Sequence, residues 1–143
     1  MSLEIIPINL RFRIYDLRFL IGNTMNRCEF ADRTKKLGLD IIKLVAGFPN
    51  SQLARITGDQ ILRSSLSVGA NYRAACRAKS DKDFISKMKI VEEEADETVY
   101  WLEIMEESQL IEKEVLEDLK REANEILSMV VASIKTKSQN LNK

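Results

Sequence analysis

Residues Ser67–Met105 read SVGANYRAACRAKSDKDFISKMKIVEEEADETVYWLEIM. The first part is small-sided: Ser67, Gly69, Ala70, Ala74, Ala75 and Ala78 put little bulk on any face. The second part is acidic and periodic. Phe84, Met88, Val91, Ala95, Thr98, Leu102 and Met105 alternate at four and three, the spacing of one helix face. Between the parts, Ser80 with Asp83 three residues on has the form of a helix cap. Two long helices joined by a short turn follow, and a short turn makes them antiparallel.

The same signals extend outward. Asn26 can cap a helix running to Ala46, with Phe30, Thr34, Leu37, Ile41 and Val45 on its apolar face. Gly47-Phe48-Pro49-Asn50 stops it, with Gly suited to the position after a helix and Pro unable to continue one. The small-sided helix then runs from Ser51 to Ala78. A fourth is expected from Glu112 to Lys135 on a stripe of Val115, Leu119, Ala123, Ile126, Val130 and Ile134. The fold expected is all-α, an antiparallel up-down-up-down four-helix bundle over residues 25–137, with 138–143 as a flexible tail. A chain of 143 residues buries about two thirds of its unfolded surface, enough for one core.

Residues 1–24 differ. Ile8, Leu10, Phe12 and Ile14 alternate with polar residues, a short strand pattern without a partner. They are expected either as an N-terminal extended arm or as extra translation upstream of a biological start at Met25. No window of ~18 apolar residues is long enough to span a membrane. The start lacks the form of a signal peptide, and Cys28 and Cys76 read as thiols, which together suggest the cytoplasm.

The net charge of +0 hides a division. Ser51 to Lys89 holds eight basic and three acidic residues, whereas Glu92 to Glu125 holds fourteen acidic and three basic. At about 100° per residue, Ile90, Glu94, Glu97, Trp101 and Ile104 form a second stripe beside the core stripe of the third helix. The combined apolar arc is wider than one bundle core needs, so Ile90, Trp101 and Ile104 are expected at a contact with another copy of the chain. Glu94 and Glu97 within that arc need partners, since an unpaired buried charge costs several kcal/mol. Gln60, Ser64, Ser67 and Asn71 offer amide and hydroxyl groups at matching spacing, and Glu122 is a further member of a structural polar network. Solvation of these acids is the simpler alternative.

Arg55, Arg63, Arg73 and Arg77 fall on one wide strip of the second helix, which Lys79 and Lys82 extend into the turn. That strip admits three readings: a solvated face, a dock for the acidic helices of a neighbouring copy, or a site for nucleic-acid phosphates. Histidine is absent, which removes His-based nucleophile pairs, His zinc sites and Glu-x-x-His di-iron sites. Two distant cysteines make no metal spacing, and no Gly-rich phosphate loop is present. Neither cofactor nor metal is expected, and no catalytic residue stands out. A carboxylate-based enzyme using Glu94 and Glu97 is the least favoured reading.

Gly47-Phe48-Pro49, Gln60, Arg63, Val68-Gly69-Ala70-Asn71-Tyr72-Arg73, Asp83-Phe84-Ile85, Glu94-Ala95-x-Glu97-Thr98 and Tyr100-Trp101-Leu102 carry a resemblance through their order and spacing. The chain from Met25 to Lys135 resembles the bacterial four-helix-bundle family encoded in intervening sequences of 23S ribosomal RNA genes. The resemblance implies an antiparallel bundle, homopentamers among related proteins, and no enzyme. It also implies kinship with the accessory bundle of diversity-generating retroelements, which associates with reverse transcriptase and nucleic acid through a basic surface. Asn71, Glu94, Glu97 and Trp101 would then be structural signature positions, and Arg63 a signature basic position. Related sequences usually carry Glu after Asn-Tyr-Arg, where this chain has Ala74. The expected function is a noncatalytic homo-oligomer, pentameric by resemblance, that binds RNA, DNA or a nucleic-acid enzyme. The alternative is a structural or protein-interaction bundle without nucleic acid.

Overall fold

A computed structural model describes residues 26–143. Four helices make up the described chain: α1 (Arg27–Ala46), α2 (Gln52–Cys76), α3 (Asp81–Glu107) and α4 (Lys113–Leu141). The arm expected over residues 1–24 and the start expected at Met25 lie outside the described residues.

The starts of the helices follow their cap residues. Asn26 accepts from the Glu29 amide at 2.9 Å while Glu29 accepts from the Asn26 amide at 2.8 Å, a reciprocal box. Ser51 Oγ accepts from the Ala54 amide at 3.1 Å, and Ser80 Oγ from the Asp83 amide at 3.1 Å. Asp83 reaches one residue further back than a capping box requires, to the Lys79 amide at 3.0 Å. Such caps contribute about 1 kcal/mol each. Gly47 ends α1 at φ −94°, so its freedom for a left-handed turn is unused and Pro49 ends the helix instead.

The left-handed turn lies elsewhere, at Gln109 with φ 58°. Leu110 N–H donates to the Met105 carbonyl at 3.1 Å and Gln109 N–H to that of Glu106 at 3.0 Å, the two bonds of a Schellman ending. An L-residue there costs about 1–2 kcal/mol, partly offset because glycine is freer when unfolded. Gln109→Gly is therefore expected to raise stability by about 0.5–1 kcal/mol in urea unfolding, with an unchanged slope.

α1 packs on α2, α2 on α3, α3 on α4, and α4 closes back on α1, most thinly at that last pairing. The contacts of each pair run in opposite order along the two helices. Gly58 lies beside Val45 and Phe48, and Gly69 beside Thr34 and Lys35. Ser64 meets Thr98 across the turn joining α2 to α3. Glu106 meets Lys120, and Asp81 meets Lys137. The pairing is thus antiparallel. A methyl at position 69 would stand 3.5 Å from backbone atoms of Thr34 and Lys35, so the small side of α2 is where α1 approaches closely.

Leu37, Ile41, Ile61, Val68, Met88, Val91, Leu102 and Met105 fill the core almost without exposure, as the stripes require. On α4 the stripe enters at Leu116, which is fully buried, whereas Val115 is 53% exposed. The two neighbours were interchangeable by spacing, and the turn aims the second inward. The expected tail also differs, because α4 continues to Leu141. No Gly or Pro interrupts Lys135–Leu141, and Lys137 is tied to Asp81 at 3.0 Å.

Candidate functional surface

Ser64 and Thr98 are both fully buried, and their hydroxyls meet at 3.0 Å. That contact sets the register of α2 against α3 and brings Arg63 opposite Glu94 and Glu97. One Arg63 nitrogen donates to Glu94 Oε2 at 3.1 Å, and the other to Glu97 Oε1. Trp101 Nε1–H donates to the same Glu97 oxygen at 3.2 Å. The Arg63 hydrogen bond is the main reason the Glu97 carboxyl is held below its ordinary range; burial opposes it and the Trp101 N–H assists. The Arg63 guanidinium is held protonated still more firmly, mainly by Glu97.

These contacts revise two expectations. Glu94 and Glu97 are partnered by a guanidinium rather than by the amides and hydroxyls of α2. Asn71 turns back to the Ser67 carbonyl of its own helix at 2.8 Å, and Gln60 makes no side-chain hydrogen bond among the described residues. The physical reason is charge: a planar fork of donors satisfies two carboxylates better than neutral groups do. Arg63, expected on the nucleic-acid strip, is engaged by both carboxylates. Glu122 leaves the network, since it pairs with Arg33 of α1 at 2.6 Å on another side of the bundle.

Exposed apolar side chains also occur on α2 and α3. Ile90 is 43% exposed, Leu53 45%, Ile56 50% and Tyr100 52%. Trp101 and Ile104 are half-buried, and the Tyr100 and Trp101 rings meet edge-on with centroids 5.2 Å apart. The antiparallel register brings the Ile56–Gln60 stretch to the level of Trp101 and Ile104. The expected contact residues Ile90, Trp101 and Ile104 are thus exposed or half-buried on α3, and α2 adds exposed Leu53 and Ile56, which sequence reasoning passed over. Their spacing of three was the available signal.

The remaining strip is divided. Arg55 donates to Asn50 Oδ1 at 2.9 Å near the start of α2. It stands about 33 Å along the axis from Arg77 at 1.5 Å per residue. Arg73, Arg77, Lys79 and Lys82 cluster where α2 turns into α3; all are exposed, and none has an ion pair among the described residues. Arg27 joins them from the start of α1, with its guanidinium carbon 5.8 Å from the Phe84 ring centroid. Sequence reading missed Arg27 because only the closing of the bundle brings the first turn of α1 to this end.

A second ion cluster was also missed. Arg33 binds both oxygens of Glu122 and also Glu125 on α4, and its Nη1 lies 3.4 Å from Met129 Sδ. Its placing three residues after buried Phe30 and four before buried Leu37 was the signal. Among the described residues no group of His, Cys, Asp or Glu is placed to hold a metal ion. Among them, too, no helix is long and apolar enough to cross a membrane.

Comparison with known proteins gives the same architecture a family. The model of the 23S rRNA-intervening sequence protein matches residues 26–132. The fold is similar to a crystal structure at 1.70 Å resolution of a protein with unknown function, from the S23 ribosomal protein family of Bacteroides thetaiotaomicron. The two share 35% identity and superpose with a TM-score of 0.71, over 78% of this chain and 99% of that one. None of the curated proteins matches the chain. The match spans all of α1 to α3 and most of α4, including the Arg63 ion cluster and the basic end, and the chain belongs to the 23S rRNA-intervening sequence protein family.

Proposed function

We propose that this protein is a noncatalytic cytoplasmic homo-oligomer, a pentamer by family resemblance, that assembles through the α2–α3 seam and binds RNA or DNA at its basic end. The observation that carries the reading is the division of its cations. Arg63 is taken up by Glu94 and Glu97, whereas the side chains of Arg73, Arg77, Lys79 and Lys82 stand exposed without an ion pair among the described residues, Asp83 reaching only the Lys79 amide. Only cations of the second kind release counterions from a phosphate backbone, the main source of nucleic-acid affinity.

The seam favours assembly because it groups exposed Leu53, Ile56, Ile90 and Tyr100 around an aromatic anchor and an internally satisfied ion cluster. A cyclic assembly sets every copy's basic end on the same rim. Several weak sites then act together, so a chain of pI ≈ 6.4 has a locally strong anion site. The noncatalytic reading is supported by the absence of histidine, and by the engagement of Glu94 and Glu97 on one guanidinium.

A gel-shift titration with single-stranded RNA across a salt series tests the nucleic-acid role. Binding is expected to weaken steeply with salt, and Arg73→Ala with Arg77→Ala to reduce the log–log slope by about 1.4, roughly 0.7 per lost phosphate contact on a single strand. These exposed changes should leave stability within about 0.5 kcal/mol. Absence of any shift at low salt would favour the structural bundle without nucleic acid.

A further inference from the structure

The end of the bundle that bears Arg77, Lys79 and Lys82 also contains a cavity of about 230 Å³. Three helices supply aromatic walls: Phe30 from α1, Tyr72 from α2 and Phe84 from α3. Phe30 and Tyr72 meet edge-on, with ring centroids 4.7 Å apart, which holds both rings in place. Arg27 and Lys137 flank Phe84, at 5.8 and 6.0 Å from its ring centroid. The α4 wall adds Ser133, Thr136 and Asn140, whose side chains make no hydrogen bond among the described residues. A smaller hollow of about 140 Å³ shares Arg27 and Phe84 with this cavity and reaches Lys79, Ser80 and Asp81, whose carboxylate is paired with Lys137, so the cavity adjoins the basic rim.

The combination is specific in kind. Aromatic walls suit a flat ring, hydroxyl and amide groups suit its polar edge, and cations at the mouth suit an attached phosphate. The volume lies below the ~300–1,000 Å³ of pockets for drug-sized ligands, so one ring system is the scale of the guest. Met88 and Met129 are also in the wall, and their flexible side chains allow it to adjust to a ring. A base in a duplex is stacked and paired, whereas an unpaired base can leave the strand and enter such a pocket.

We propose that this end cavity receives one unpaired nucleobase of a single strand whose flanking phosphates lie on Arg27, Arg77 and Lys79. The inference rests on the nucleic-acid reading of the basic end and narrows it from any polyanion to unpaired RNA or DNA.

The test measures binding of the full chain, at one fixed salt concentration, to a labelled single strand, to the matching duplex and to a free mononucleotide. A single strand carrying 2-aminopurine reports base insertion by a change in emission. The single strand is expected to bind about tenfold more tightly than the duplex, the scale of one stacked base. Ser133→Leu, which fills the cavity from α4, should bring the single strand to the duplex level and abolish the emission change. Its salt slope should stay unchanged, because the phosphate contacts remain. Asn140→Ala, on an exposed residue near the end of α4, is a second variant that spares the core and should weaken the single strand alone. Equal binding of single strand and duplex, with both variants silent, overturns this proposal and leaves the basic-end reading intact. Free mononucleotide binding as tightly as the strand overturns the strand as the ligand. Absence of binding to either nucleic acid overturns both readings.

Discussion

Arg33→Met is expected to lower the stability of the protein by about 2–3 kcal/mol in urea unfolding, with an unchanged slope. The Arg33 guanidinium binds Glu122 at 2.6 and 2.9 Å and also reaches Glu125, with the three side chains 22%, 33% and 18% exposed. Breaking a fully buried pair from one side costs about 3–5 kcal/mol, whereas an exposed pair contributes about 0–1. This cluster lies between those limits. It lies toward the upper one because the Glu122 carboxylate loses both of its hydrogen bonds to the guanidinium together. The Glu122 hydrogen bond is the main cause of a guanidinium held protonated beyond its ordinary range, and burial only partly opposes it. Met keeps most of the apolar stem, so the measured loss reports the charge rather than a cavity. The effect should concentrate at the α1–α4 pairing, the thinnest in the bundle, and amide exchange should quicken along α1 first. Adding Glu122→Leu to Arg33→Met should recover part of the loss, since removing both partners leaves fewer unpaired charges. A loss under about 0.5 kcal/mol for Arg33→Met would reduce the cluster to a surface pair.

The Arg33 cluster also marks where sequence reading stops. Apolar stripes are legible because one helix generates them: Phe84 to Met105 and Phe30 to Ile41 are buried where their spacing places them. Cap residues are legible for the same reason, since Asn26, Ser51 and Ser80 act on amides three residues away. Ion partners on different helices depend on register, which no single helix contains. Arg63 fell on the basic strip by its own helix and on the acidic pair by its neighbour, and the Ser64–Thr98 contact decides between them. Val115 and Leu116 show the same limit within the core, because two adjacent apolar residues fit one stripe until the preceding turn is built. The continuation of α4 to Leu141 was open to view in the lack of any breaker, but its anchor, Asp81, is 56 residues away.

If the chain assembles through α2 and α3 as proposed, Arg63→Ala is expected to give a monomer by light scattering at micromolar concentration, and the parent chain an oligomer. The change leaves Glu94 and Glu97 as two uncompensated carboxylates among Ile90, Ile56 and Trp101, so each seam would bring like charges into an apolar contact. Arg63→Lys keeps the charge without the two-pronged fork, and should hold an intermediate mass distribution. The pH dependence supplies an independent readout. Since Arg63 holds the folded Glu97 carboxyl below its ordinary value of about 4.3, the contribution to stability is present above that value and is lost as pH falls through the lower folded one. Without Arg63 the main cause of the depression is gone, so the acid limb of the stability curve should flatten below the ordinary carboxylate range. The site is partly exposed and screened in the single protomer, so the flattening should be small beside the loss of assembly. A variant that shows the flatter acid limb but keeps the parent mass would separate the ion cluster from assembly. The apolar residues around Trp101 would then be the whole of the seam.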